Sequence, residues 1–236
     1  MTQPILTDEN SLRFIAELQR QAAYRNIDLC LQLIKGGMDT QTPDKHGLTV
    51  LMHAAEAGEL KLSCALIECG ADVNAQDKSG ASALMHAAEC GHNDIISVLA
   101  THGANVNMQD NGGWTALMYA VKFRNPHSAI ALINHGADVN LQNNNGMTPL
   151  ACAVQHGYAH TAQKLINCGA DPMIKNKHGK TAIDIAARPE TPGPDKFPET
   201  LLAARKAYIK ETFAAAAEKG TPRAHKIRRP KRGAAP

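Results

Sequence analysis

Aromatic side chains are scarce in this 236-residue sequence, at 4% of the chain, with a single Trp. Ala, Leu and Ile supply the apolar bulk instead, which favours helices that pack closely through small side chains. Three of the few aromatic residues nevertheless stand in one short stretch, at Trp114, Tyr119 and Phe123. That concentration singles out the stretch as a place where large side chains have a particular role.

Long apolar runs are also missing. No stretch approaches the roughly 18 apolar residues that a membrane-spanning helix needs. The first residues lack a basic start and carry acids at Asp8 and Glu9, which is not typical of a secretory signal. We therefore expect a cytoplasmic protein whose six cysteines are reduced thiols. Entry into a nucleus and secretion into a host are the alternatives.

Acidic residues are absent from residues 219–236, which carry seven Lys and Arg side chains, whereas the rest of the chain is mildly acidic. Such a segment is predicted to be a disordered basic tail that attracts phosphates through counterion release. No aromatic residue lies between its charges, so the tail has no platform for stacking on bases. Its central charges are Lys226, Arg228, Arg229, Lys231 and Arg232.

The chain repeats itself at a spacing of 33 residues. One glycine series consists of Gly47, Gly80, Gly113, Gly146 and Gly179. A second series consists of Gly37, Gly70, Gly103, Gly136 and Gly169. Columns of leucine at the same spacing run between them, so each unit is expected to contribute equivalent side chains to one continuous core.

Each unit is predicted to contain two short helices. Hydroxyl residues that can cap the first helix recur at Thr49, Ser82, Thr115, Thr148 and Thr181. Glycines that break the chain before the second helix recur at Gly58, Gly91 and Gly157. In the third unit Arg124 stands at that position, followed by Asn125 and Pro126. We therefore expect a different turn in the third unit.

The stretches "DKHGLTVLMHAAEAG" and "DKSGASALMHAAECG", together with "HGANVNMQD" and "HGADVNLQN", closely resemble the ankyrin repeat, and the resemblance covers about residues 8–188. It implies an all-α repeat solenoid with short β-hairpin fingers. The fingers would project at Asp44, Asp77, Asp110, Asn143 and Asn176. The His with which the family fixes its fingers is replaced here by Met52, Met85, Met118, Ala151 and Asp184.

The predicted organisation has six parts. They are an N-terminal capping repeat at 1–43, four full repeats at 44–175, a partial fifth repeat at 176–188, a Pro-rich linker at 189–198, a C-terminal helix at 199–218 and the basic tail at 219–236. The C-terminal helix has an apolar face, which either caps the open end of the stack or binds a partner. The protein is expected to be a monomer.

Motifs for catalysis and metal binding are missing. No local motif marks a nucleophile, and the glycines fit turns rather than a phosphate-binding loop. The pairs His53 with Glu56 and His86 with Glu89 lie in neighbouring units, which pack about 8–10 Å apart, too far to share one zinc ion. A column of typical zinc ligands is likewise spread over four units, at Cys69, His102, His135 and Cys168. We expect no enzyme activity, cofactor or metal.

The resemblance places partner contacts at the finger tips and on the exposed side of each first helix. The residues at these positions are Trp114, Tyr119, Phe123, Met147, Lys122, His86, Glu89, Lys78 and His156. A protein partner bound on this concave surface is the first hypothesis, and packing of the aromatics between units is the structural alternative. The second hypothesis assigns the function to the basic tail, as a weak nucleic-acid or anionic-surface contact, or as an import or secretion signal.

Overall fold

The computed structural model describes residues 40–187 and, beyond them, only Ala203. The predicted linker, C-terminal helix and basic tail, and nearly all of the predicted N-terminal capping repeat, lie outside these residues. Within 40–187 the chain forms nine helices. They are α1 (Val50–Ala57), α2 (Leu60–Glu68), α3 (Ala83–Cys90), α4 (Asn93–Thr101), α5 (Ala116–Lys122), α6 (Pro126–Asn134), α7 (Pro149–Gln155), α8 (Ala159–Asn167) and α9 (Ala182–Ala186).

The first helix of each unit begins at a capping residue. Thr49, Thr115, Thr148 and Thr181 accept, at their hydroxyl oxygens, a bond from the N–H three residues later, as predicted. Ser82 makes no such side-chain bond. The backbone of Ser82 instead forms an isolated antiparallel bridge with Gln76. Four of the five predicted caps are therefore present in the form expected.

The helices pack in two rows. The first helices α1, α3, α5, α7 and α9 lie side by side, and α2, α4 and α6 form the adjoining row. Leucines such as Leu51, Leu84 and Leu117 are almost fully buried between them. The Met column that replaces the family's His is also buried, and Met52 Sδ accepts a 3.4 Å bond from the Thr49 N–H. The methionines therefore contribute to the core, and Met52 also to the cap of its helix.

The fingers are hydrogen-bonded turns rather than β-hairpins. Among residues 40–187 the β-type pairing is limited to the single bridge at Gln76, which corrects the prediction of short β-hairpins. Each turn is closed by an Asp or Asn at its base. The Asp110 Oδ1, for example, accepts bonds from the N–H groups of Gly112 and Trp114 at 2.8 and 2.7 Å.

Neighbouring fingers are bonded to one another. The N–H of Asn111 donates to the Ser79 carbonyl, and the N–H of Asn144 donates to the Gly112 carbonyl, each at 2.9 Å. The contact is so close that a Cβ added at Gly113 would lie 2.7 Å from the Asn144 nitrogen. Similar bonds recur between residues 33 apart, such as Gln109 Nε2 to the Gln142 carbonyl. The fingers therefore form one continuous ladder.

The turn at Arg124 keeps the backbone conformation of the other units. Arg124 has φ of 60°, and among residues 40–187 it is the one non-glycine residue with positive φ. The following N–H, of Asn125, donates to the Ala120 carbonyl as the N–H of His92 does to Ala87. The expectation of a different turn was wrong, because tertiary packing holds an arginine in a conformation that favours glycine.

Candidate functional site

The side chains singled out in the sequence lie on or beside the finger turns and at the ends of the first helices of successive units. We call the finger tips, together with the exposed side of α1, α3, α5 and α7, the groove face. Its helix charges stand at positions 33 residues apart near the helix ends: Glu56 in α1, Glu89 in α3 and Lys122 in α5. The third unit supplies its aromatic residues.

The aromatic residues of the third unit form a contiguous cluster. The Trp114 and Tyr119 rings lie 5.8 Å apart between centroids, and Tyr119 stacks on Phe123 at 6.3 Å with an interplanar angle of 9°. Tyr119 and Phe123 face each other because residues four apart lie on the same side of a helix. Lys122 Nζ lies 5.0 Å from the Trp114 centroid and 5.2 Å from the Phe123 centroid.

The members of this aromatic cluster differ in exposure. Trp114 and Tyr119 are partly buried and pack against the core. Phe123 is 42% exposed, which is unusual for a phenylalanine beside a well-packed core. The cluster therefore consists of two rings packed on the core, Trp114 and Tyr119, and one apolar ring, Phe123, that is exposed to solvent.

Tyr119 is held in place by the finger. Its hydroxyl donates a 2.7 Å bond to Asp110 Oδ2, on the carboxylate that closes the turn. Burial, the largest cause, and the bond to Asp110 both raise the pKa of Tyr119 well above its usual value. Tyr119 is therefore fixed by the finger while its ring stacks on Phe123.

The same link is made by histidine in the first two units. His53 Nε2 lies 3.3 Å from Asp44 Oδ2, and His86 Nε2 lies 3.2 Å from Asp77 Oδ2. Burial by itself would raise the pKa of Asp77, but bonds from Ser79, the Ala81 N–H and His86 outweigh it and hold that pKa below its usual value. His86, predicted to contact a partner, thus has a bond within its own unit.

Sequence reasoning missed this link, although a signal for it exists. The donor stands nine residues after the finger residue, and it is His or Tyr only where that residue is Asp. The pairs are Asp44 with His53, Asp77 with His86 and Asp110 with Tyr119, against Asn143 with Cys152 and Asn176 with Ile185. A carboxylate has a second acceptor oxygen at this place where Asn has an amide nitrogen, so a bond donated by His or Tyr to the finger residue requires Asp.

Charges on the groove face change sign along the stack. Among residues 40–187 the salt bridges are His53 with Asp44 and His86 with Asp77. The carboxylates of Glu56 and Glu89 and the ammonium of Lys122 have no such partner there. On its helix side the groove face therefore carries carboxylates in the first two units and an ammonium in the third, while Lys45 and Lys78 add positive charge at the first two finger tips.

Two thiols respond to these charges. Burial, then the nearby carboxylates of Glu56 and Glu89, raise the pKa of Cys90. Burial raises the pKa of Cys152 to about 12, and the positive charge of Lys122 opposes that rise. Cys90 is exposed, whereas Cys152 is buried.

A second ring cluster adjoins the first and was not foreseen. His156 and Tyr158 stack at 5.6 Å, and the Arg124 guanidinium lies 5.7 Å from the Tyr158 centroid. Tyr158 occupies the place of His92 and Asn125, each of which bonds back to the preceding unit. The 33-residue spacing of these three residues was the available signal.

The remaining predicted contacts lie around these clusters. Met147 is partly buried, and its sulfur accepts a 3.5 Å bond from Asn176 Nδ2. Lys78 Nζ donates a 2.6 Å bond to the Lys45 carbonyl at the neighbouring finger tip. Glu89 and His156 lie in the units on either side, at the positions equivalent to Lys122 and Phe123 respectively.

The part of the chain that the structure describes contains no group of three metal-ligating side chains. Cys69, His102, His135 and Cys168 each cap a different helix end and are exposed, as their spacing predicted. No helix between residues 40 and 187 is long and apolar enough to cross a membrane.

Comparison with known proteins identifies the family. The model described as ankyrin repeats (3 copies) matches residues 18–77 and 61–143, and the model described as ankyrin repeats (many copies) matches residues 132–186. A search of curated proteins found no match. Together the family models cover more than half of the sequence and agree with the stacked helices described above. The chain belongs to the ankyrin repeat family.

Proposed function

We propose that this protein is a non-catalytic adaptor or inhibitor, monomeric and cytoplasmic, that binds another protein on the groove face. Ankyrin repeats generally mediate protein–protein interaction and are typically non-catalytic. The observation that carries the proposal is the exposed Phe123 ring, stacked on Tyr119 and flanked by Lys122. Binding would be centred on this cluster.

The aromatic cluster has the properties of a binding hot spot. Such sites are large, stiff side chains near the middle of an interface, surrounded by polar groups that exclude water. Tyr119 is already immobilised by its bond to Asp110, and the Phe123 ring stacks on it. Little side-chain entropy of these two residues is therefore lost when a partner packs on Phe123. Met147 adds an adaptable apolar contact. Lys78, His86, Glu89 and His156 would form the polar surroundings.

The test is a pull-down from native cell extract with the full-length chain. Phe123→Ala and Trp114→Ala are compared with Ile130→Ala, which removes an apolar side chain, 37% exposed, from α6. We expect the captured protein to be lost with the first two variants and kept with the third. Purified partner should then bind Phe123→Ala about 30-fold more weakly, the effect of losing about 2 kcal/mol.

The basic tail is the second candidate, because residues 219–236 carry seven basic side chains and no acid. Deletion of the tail separates the two candidates. If the captured molecules are released by salt or by the deletion, and are unaffected by Phe123→Ala, the interaction belongs to the tail and the groove proposal is wrong. If they survive the deletion, the groove face carries the binding.

A further inference from the structure

Resting on the proposed function, we infer that the groove face binds an extended peptide segment of mixed charge. The segment carries an Asp or Glu next to a large apolar residue, and a Lys or Arg farther along. Its carboxylate pairs with Lys122 while its apolar residue packs on Phe123. Its basic residue lies opposite Glu89 or Glu56.

The positive end of this surface is built for a carboxylate beside an apolar group. Lys122 Nζ is about equally distant from the Trp114 and Phe123 rings, at 5.0 and 5.2 Å. It has no carboxylate within salt-bridge distance among residues 40–187. An incoming carboxylate would therefore meet an ammonium that is held by two rings, and the neighbouring residue of the segment would reach the exposed Phe123.

The negative end, on the helix side of the groove face, lies in the two preceding units. Glu56 and Glu89 occupy the same position in α1 and α3 that Lys122 occupies in α5. They stand 33 residues apart at equivalent positions of two first helices that pack side by side, which places the two carboxylates on the same side of the stack. Asp77 is not part of this negative surface, since its carboxylate is already bonded to its own finger and to His86.

The spacing of the units sets the spacing of the charges in the segment. Packed helices lie about 8–10 Å apart, and an extended chain advances about 3.3 Å per residue. A basic residue opposite Glu89 would therefore stand about three positions from the acidic one, and a residue opposite Glu56 about six positions. This pattern distinguishes the segment from a uniformly acidic or uniformly basic one.

The experiment is a selection of random 12-residue peptides displayed on phage against the full-length chain. Enriched sequences are synthesised, and their dissociation constants are measured by fluorescence polarisation with the wild-type protein and with Phe123→Ala, Ile130→Ala, Lys122→Ala and Lys122→Glu. We expect enrichment of the spaced acidic, apolar and basic pattern. Lys122→Ala should weaken binding about tenfold, and Lys122→Glu should weaken it further.

A charge exchange completes the test. Replacing the acidic residue of a selected peptide with Lys should restore binding to Lys122→Glu while weakening binding to the wild type. Peptides that depend on Phe123 but lack the acidic residue, or are indifferent to Lys122→Ala, would overturn the charge inference and leave the proposed groove intact. If no selected peptide depends on Phe123 more than on Ile130, both the inference and the groove proposal are wrong.

Discussion

The hydroxyl of Tyr119 donates a 2.7 Å hydrogen bond to the Asp110 carboxylate, and the other oxygen of that carboxylate closes the finger of the same unit. One carboxylate thus couples the finger to the helix that follows it. Because of this bond, Tyr119 and Phe123 have different roles in the aromatic cluster. Tyr119 stabilises its unit, and Phe123 remains exposed for contact.

Removing the Tyr119 hydroxyl should destabilise the stack. Tyr119→Phe leaves a partly buried carboxylate oxygen without its donor, which should lower the free energy of unfolding by about 1–2 kcal/mol in urea titrations. Asp110→Asn places an amide nitrogen opposite the Tyr119 hydroxyl, which can then only accept a weaker neutral bond, so this variant should lose about 1 kcal/mol. The double variant should be little worse than either single variant. Strictly additive losses would show that the bond contributes nothing.

Acid should weaken the finger of the second unit. The pKa of Asp77 is held below its usual value, so its bonds contribute stability above the unfolded pKa, about 3.9, and that contribution is lost as pH falls through the folded value. Urea midpoints measured from about pH 6 to about pH 3 should therefore fall more for the wild type than for Asp77→Asn. Parallel curves for the two proteins would contradict this assignment.

Glycine at position 124 should stabilise the third unit. Arg124 adopts a left-handed conformation that costs a non-glycine residue about 1 kcal/mol. Arg124→Gly removes the strain and the contact with Tyr158, whereas Arg124→Ala removes only the contact. The glycine variant should therefore be about 1 kcal/mol more stable than the alanine variant in urea unfolding. Equal stability would mean that this conformation carries no strain.

The finger ladder should not tolerate a side chain at Gly113. Both Gly113 and Gly103 have positive φ, so alanine is strained at either position. A Cβ at Gly113 would also lie 2.7 Å from the Asn144 nitrogen, whereas nothing lies within 4 Å of one at Gly103. Gly113→Ala should lower the unfolding temperature more than Gly103→Ala does, because only the former displaces the next finger. Equal shifts would show that the fingers can separate freely.

The thiol of Cys90 should react slowly despite its exposure. Burial and then the charges of Glu56 and Glu89 raise its pKa, which lowers the thiolate fraction near neutral pH. Alkylation by iodoacetamide, followed at the Cys90 peptide by mass spectrometry, should accelerate when both glutamates are replaced by Gln. An unchanged rate would show that neither carboxylate acts on Cys90, and would weaken the negative end of the proposed peptide site.

Much of the fold was predictable because local patterns specify it. Capping hydroxyls such as Thr115 and glycines such as Gly157 determine where each helix begins and where the chain turns. The turn at Arg124 was not predictable, since its side chain opposes the conformation that packing on the neighbouring units imposes. The shape of the fingers was also misjudged, because side-chain bonds to Asp and Asn close them without paired strands.

Within the candidate site, the sequence placed Trp114, Tyr119 and Phe123 in one stretch but did not distinguish their roles. Phe123 and Tyr119 both lie on the same side of α5. The nine-residue spacing of Asp110 and Tyr119 was a signal for their bond, but the structure was needed to show that this bond forms and that the Phe123 ring is exposed. Tyr158 was missed although its 33-residue spacing from His92 and Asn125 was an available signal.

The sequence by itself determined a helical repeat with buried leucines, because the periodic apolar residues have no other way to leave water than by stacking unit on unit. The tertiary structure decided which polar side chains are already bonded and which charges remain for a partner. Those outcomes depend on distances between residues of different units and on the packing angle between finger and helix. No local pattern along the chain specifies either quantity.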